Sequence, residues 1–130
     1  MIKTKSVYSR IDRRKDGLRI LVTRFHGRGL RKTRCDTWIA NLGPSEGLLK
    51  NFRSGQILWG EFARRYCTEL QEPGSIDRRN KRIKNHGQKF TLRLLQTLGR
   101  RSDVTLLCHC GEDESRCHRF ILQRTLASKI

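Results

Sequence analysis

No hydrophobic run in this sequence approaches the roughly 18 consecutive apolar residues that would span a bilayer. Its apolar residues, 35% of the total, fall in short runs such as Ile20-Leu21-Val22 and Val104-Thr105-Leu106-Leu107. The opening Met1-Ile2-Lys3-Thr4-Lys5 lacks the apolar region of a secretory signal, so a cytoplasmic location without membrane contact is the expectation. Acidic residues are scarce: 12 Asp and Glu face 29 Lys and Arg, leaving a formal net charge of +17. Aromatic residues are also few, and Tyr8, Phe25 and Phe90 are the candidates for stacking on a nucleic-acid base. Any contact with a nucleic acid is therefore expected to run through the backbone, without sequence readout. There is no internal repeat and no stretch that reads as a linker, so residues 1–130 are expected to form one domain.

The positive excess is uneven. Residues 1–34 carry twelve basic and two acidic side chains, and residues 78–101 carry nine basic and none acidic, so two segments supply all of it. Such segments suit a polyanion, nucleic acid above all, because each phosphate contact releases condensed counterions. A basic surface that serves solubility alone is the competing reading, with an acidic protein or an anionic membrane behind it.

Periodicity suggests an α/β fold with a small, mostly parallel sheet flanked by helices. Strands are expected over Ile2–Tyr8, Gly17–Val22 and Val104–Cys108, where β-branched and apolar residues concentrate, with Ser9–Asp16 as a charged connection. Trp38, Ile39 and Leu42 are spaced for a short helix ended by Gly43-Pro44, and Ser45 is a natural cap for another through Leu48, Leu49 and Phe52. Leu58, Phe62, Tyr66 and Leu70 recur every four residues, which predicts an amphipathic helix over Ile57–Leu70. A further helix is expected over Gln88–Gly99, and the basic run of residues 77–88 reads as its extension or as a mobile loop. Phe120, Ile121, Leu122, Thr125 and Leu126 are spaced for a last helix.

Between that helix and the last strand lies Cys108-His109-Cys110-Gly111-Glu112-Asp113-Glu114-Ser115-Arg116-Cys117-His118-Arg119. Ligands of open α/β sheets gather at strand carboxyl ends, and a helix start carries unpaired amides and positive potential. Asp113 or Ser115 could cap the helix, placing Cys117 and His118 in its first turn, where Arg116, His118 and Arg119 would favour the Cys117 thiolate. Five cysteines, three of them within ten residues, do not suggest a disulfide framework.

Three readings follow for this turn. It could be a pocket for a small anionic substrate, with Cys108, Cys117 and His118 as its catalytic groups. It could be a zinc site formed by Cys108, Cys110, Cys117 and either His109 or His118, although the spacing is not the paired C-x₂-C of zinc ribbons. It could also be a structural cluster of buried thiols. His109-Cys110 through Arg116 also matches H-C-x₅-R, the phosphate loop of cysteine-dependent phosphatases, but Glu112, Asp113 and Glu114 would set three negative charges against the anion.

The residues resemble the "domain of unknown function 488" family, in its short YeaO-like branch. Met1–Tyr8 looks like its opening strand and Gly17–Leu30 like its arginine loop, while Leu106-Leu107-Cys108 with Cys117-His118-Arg119 is similar to its Cys…Cys-His-Arg signature. Thr23 stands where that family usually has Asp, and His26-Gly27 where it has Trp-Pro. The resemblance implies a pocket in which Arg24 and Arg28 meet Cys108, Cys117, His118 and Arg119, with the arginines holding an anion. His26 and His86 read as surface residues. The functional expectation is an enzyme acting on a phosphorylated or nucleobase-containing substrate, without a cofactor or with zinc. The alternative is a non-catalytic nucleic-acid-binding module with structural or zinc-bound cysteines.

Overall fold

In the computed structural model, which describes residues 1–71 and 88–128, four strands form one sheet in the order β1 (Ile2–Ser6), β4 (Val104–Cys108), β2 (Leu18–Leu21) and β3 (Thr37–Trp38). Every pairing is parallel, so the expected mostly parallel sheet is wholly parallel among the described residues. β4 is buried at all five positions, as an unbroken apolar run in a parallel sheet must be. It sits between β1, paired from Ile2–Val104 to Ser6–Cys108, and β2, paired from Leu18–Val104 to Leu21–Leu107. The last strand in the chain thus locks the first two together.

Strand alternation sorts the side chains onto two faces. Ile20, Val22, Val104 and Leu106 enter the main core with residues of four helices, α2 (Glu46–Arg53), α3 (Trp59–Gln71), α4 (Gln88–Arg101) and α5 (His118–Ala127). On the other face Leu21 and Leu107 pack with Val7, while Arg19 and Thr105 are buried beside Asp16 at the end of α1 (Arg13–Asp16). Arg19 forms an ion pair with Asp16 and donates to the Arg34 carbonyl at 3.0 and 3.1 Å. Lys5 reaches the same carboxylate at 3.0 Å, and the Thr105 hydroxyl donates to the Asp16 carbonyl at 2.7 Å. Burial works against the Asp16 carboxylate, but the Asp12 amide, Lys5 and Arg19 outweigh it and hold its pKa below the ordinary value.

Several expected elements shift. Trp38 lies in β3, not in a helix, and only Ala40–Leu42 form a 3₁₀ turn, because Ile39 N and Asp36 N bond to Leu21 O and Arg19 O across the sheet. The connection before β2 contains the single turn of α1, capped by the Asp12 side chain on Lys15 N. In α3, Phe62, Tyr66 and Leu70 are buried but Leu58 is 81% exposed, since the helix starts at Trp59. α4 runs two residues beyond Gly99. Ser45 caps α2 as expected, accepting from Leu48 N. The basic run of 77–88 lies outside the described residues except for Gln88, as does His86.

Candidate active site

Parallel strands place their carboxyl ends at one edge of the sheet, so the segments that leave β2 and β4 meet there. Val22 N bonds to Leu107 O at 3.0 Å and Val7 N to Cys108 O at 2.8 Å, which carries the pairing one residue past the strand ends. Beyond that point the chain turns through Cys110–Arg116 and re-enters as α5, whose cap position is Cys117. Asp113 and Ser115 therefore do not cap the helix. Cys117 has the extended backbone of a cap (φ −128°, ψ 138°) but makes no capping bond, so its sulfur is free to face the site.

Cys108, Cys117 and His118 offer three ligand atoms that all lie within 4.8 Å of one another, and all three residues are buried. Cys108 Sγ is 3.8 Å from His118 Nδ1 and 3.8 Å from Cys110 Sγ. The other ring nitrogen of His118, Nε2, bonds to the Val22 carbonyl at 2.7 Å and must carry the proton there. That leaves the Nδ1 lone pair aimed at the thiols. Burial lowers the His118 pKa to about 4, so the ring is neutral at neutral pH. Tyr66 holds the ring from the side, edge-on at 5.6 Å, and its hydroxyl donates to the Leu42 carbonyl.

The thiols share their protons unequally. Hydrogen bonding to Cys110, followed by burial, pushes Cys108 up to about 11, and hydrogen bonds to Cys108 and Cys110 push Cys117 higher still. Cys110 accepts those bonds and lies well below the usual thiol range, helped by Arg119. Among the three it is Cys110 whose hydrogen-bond partners favour the ionised form, not Cys117 as its place before a helix suggests. Cys117 is a buried donor, while Cys110 is half-buried.

The 3.8 Å between the Cys108 and Cys110 sulfurs fits a thiophilic metal. A tetrahedron with metal–sulfur bonds of about 2.3 Å has an S···S edge of about 3.8 Å. A histidine that ligates through one nitrogen also normally donates its other N–H to a carbonyl or carboxylate. Cys108, Cys117 and His118 form the compact set, and Cys110 stands on its open side.

A cavity of about 150 Å³ opens onto the cluster. Phe25, Phe52, Trp59 and Phe62 supply the apolar part of its wall, Cys108, Cys110, Cys117 and His118 line it with them, and Arg53 and Arg116, both exposed, also border it. Trp59 stacks on Phe62 with centroids 5.3 Å apart, and Phe52 meets the same ring tilted, at 4.7 Å. The apolar wall was not foreseen, because these rings read as core periodicity in α2 and α3. Their proximity to the thiols is a property of the tertiary fold.

The arginines separate. Arg24 is buried and lines the cavity, but its Nε donates to Pro44 O at 2.9 Å and its Nη2 to Gly43 O at 2.7 Å. Arg119 is also buried, behind the turn, donating to Cys110 O at 3.4 Å and Gly111 O at 3.1 Å, so it holds the backbone that carries Cys110. Its Nε has no hydrogen-bond partner among the described residues. Arg28 is exposed and outside the cavity, in a neighbouring hollow. His26 is half-buried against Trp38, centroids 5.5 Å apart, and not free on the surface.

The H-C-x₅-R match does not form a phosphate cradle. Glu114 N bonds to Gly111 O and Arg116 N to the Glu114 carboxylate, so amides that would face an anion are used within the turn. Glu112 turns away to accept from Ser6 N at 2.7 Å and from the Ser9 hydroxyl, tying the turn to the end of β1.

Residues 2–130 match a family model described as DUF488-N3a, the active DUF488-N3 subclade. The chain is also 33% identical over 96 residues to the uncharacterized protein YeaO of Escherichia coli (strain K12), covering 72% of this chain and 80% of that protein. No solved structure matches it.

Proposed function

The chain belongs to the DUF488-N3 family, and from that premise we propose that it is a metal-dependent enzyme built on a zinc-type centre at the strand ends. Cys108, Cys117 and His118 Nδ1 are its resident ligands, and the fourth position faces the cavity, where Cys110 or a substrate atom takes it. The observation that carries this reading is the geometry of the cluster: three ligand atoms within 4.8 Å, with the imidazole proton fixed on the far nitrogen by Val22 O. Three protein ligands and one exchangeable position is the arrangement of catalytic zinc, whereas structural sites are closed by four. A metal there would polarise a substrate oxygen or lower the pKa of a bound water. The aromatic wall suits a planar ring, and Arg53 and Arg116 suit an anionic group at the mouth, so a phosphorylated or nucleobase-containing substrate is the class proposed.

Metal analysis of the purified chain tests this. We expect about one zinc per chain, lost in Cys108→Ser, Cys117→Ser and His118→Ala but largely retained in Cys110→Ser, and a thiolate-to-cobalt charge-transfer band after cobalt substitution. A chain that purifies without metal and takes up neither zinc nor cobalt sinks the proposal. The half-buried position of Cys110 on the cavity supports a second reading, in which Cys110 is a nucleophile beside two thiol donors. Rapid iodoacetamide labelling at Cys110 that added zinc does not slow would favour it.

A further inference from the structure

We propose that the rim of this cavity, running from Phe25 across His109 and Tyr8 to Arg28, Arg31 and Arg34, is a docking face for single-stranded nucleic acid that presents one nucleotide to the metal-thiol pocket. The destination of that nucleotide rests on the reading of the pocket given above. The docking face rests on its own contacts.

A cavity of about 150 Å³ is well below the roughly 300–1,000 Å³ of a pocket that swallows a whole small molecule. It admits a ring or a phosphate, and the rest of a nucleotide-sized substrate must lie outside. What lies outside is a second hollow of about 330 Å³ lined by Tyr8, Arg28, Gly29, Leu30, Arg31 and Arg34. Arg28 and Arg31 are exposed there, with no carboxylate partner among the described residues. Arg34 is anchored beside them, its Nη2 donating to Val7 O and Ser9 O at 2.6 Å each.

The two hollows meet where His109 of the first approaches Tyr8 of the second. The His109 ring lies 6.1 Å from the Tyr8 ring on one side, and its Nε2 meets Phe25 O at 3.3 Å on the other. Gly27 makes this possible: its φ is +100°, and a Cβ there would come within 2.5 Å of the imidazole. The arginine loop thus lies directly on the histidine that borders the thiols.

Chemistry then selects the occupant. Tyr8 is 64% exposed and Phe25 49%, so large rings stand in water beside the exposed guanidiniums of Arg28 and Arg31. Alternating rings and cations are how proteins hold single strands: bases stack on the rings while phosphates meet the cations. A duplex keeps its base faces buried in its own stack and offers these rings nothing. The +17 charge of the chain favours a polymer of phosphates over a single one.

Fluorescence anisotropy of a labelled oligothymidylate of about 12 nucleotides, across a salt series, tests the face. We expect tighter binding than to a duplex of the same length. Arg28→Ala with Arg31→Ala should weaken binding at least tenfold and make the salt slope shallower by about 1.4, at roughly 0.7 per lost contact. Tyr8→Ala should weaken it between about 5-fold and 100-fold. All three side chains are exposed, so their loss leaves the fold in place. Bound oligonucleotide should also slow iodoacetamide labelling of Cys110. Equal or tighter duplex binding, indifference to these substitutions, thymidine monophosphate binding as tightly as the oligomer, or unslowed labelling would each overturn the proposal. Metal content is a separate readout: a chain that holds zinc but ignores the strand refutes the docking face alone, and a Cys117→Ser, His118→Ala chain that loses metal yet binds the strand upholds it.

Discussion

Asp16 and Arg19 show what a single residue costs when it is buried. Neither is more than a few per cent exposed, and each answers the other's charge. Removing one partner of a buried pair typically costs about 3–5 kcal/mol, because the survivor is left charged in a poor solvent. Asp16→Asn should therefore destabilise the chain by about that much in urea unfolding, and adding Arg19→Met should recover most of the loss. If Asp16→Asn costs under 1 kcal/mol, the pair is hydrated and the polar layer under β2 and β4 is open to water. At this scale the site was partly legible. Three cysteines and two histidines around one strand end signal chemistry by density alone, and Cys108, Cys117 and His118 do converge. The arginines were not separable in sequence, because one guanidinium reads like another. Only packing distinguishes Arg24 and Arg119, which hold backbone carbonyls, from Arg28, which faces solvent.

Among the elements, α5 carries the clearest trace of function. Its cap position holds Cys117, where Ser, Thr, Asp or Asn would satisfy a first-turn amide, and no side chain there does so. A helix start left uncapped in a buried position implies that the sulfur serves another purpose, which is the metal site proposed above. In the chelated, metal-free chain, Cys117→Ser should then hold or raise stability, by up to about 1 kcal/mol in denaturant unfolding, while zinc uptake falls at least tenfold. A loss of more than 2 kcal/mol in the metal-free chain would mean instead that the thiol is a packing group. The longer elements were readable in advance: α2, α3 and α4 follow the helical period, and β4 is an unbroken apolar run. The region from Thr37 to Leu42 was not, because six residues with Trp38 and Leu42 four apart fit a helix until the hydrogen bonds of β2 are known. The start of α5 was misplaced for a related reason: Asp113 and Ser115 are better caps by propensity, but Glu112 and Arg119 fix the turn elsewhere.

For the molecule as a whole, charge sets stability and binding against each other. With 29 basic and 12 acidic side chains, self-repulsion opposes the folded state, and it acts over distances that salt can screen. The Debye length falls from about 10 Å at 0.1 M salt to about 3 Å at 1 M. Favourable pairs lose little by this. The Asp16 pairs are buried or partly so, and exposed ones such as Arg64 with Glu61 and Arg13 with Asp36 contribute little to begin with. Raising potassium chloride from 0.1 to 0.5 M should therefore raise the melting temperature by several degrees, with 1 kcal/mol corresponding to about 4 °C for a domain of this size. A melting temperature that falls with salt would mean that ion pairs outweigh repulsion despite the excess. The same change should release a bound single strand, since each phosphate contact recaptures counterions. Loss of binding accompanied by a gain in stability cannot be ascribed to unfolding, so one salt titration read by both melting and anisotropy separates a basic surface that engages phosphate from one that only keeps the chain in solution.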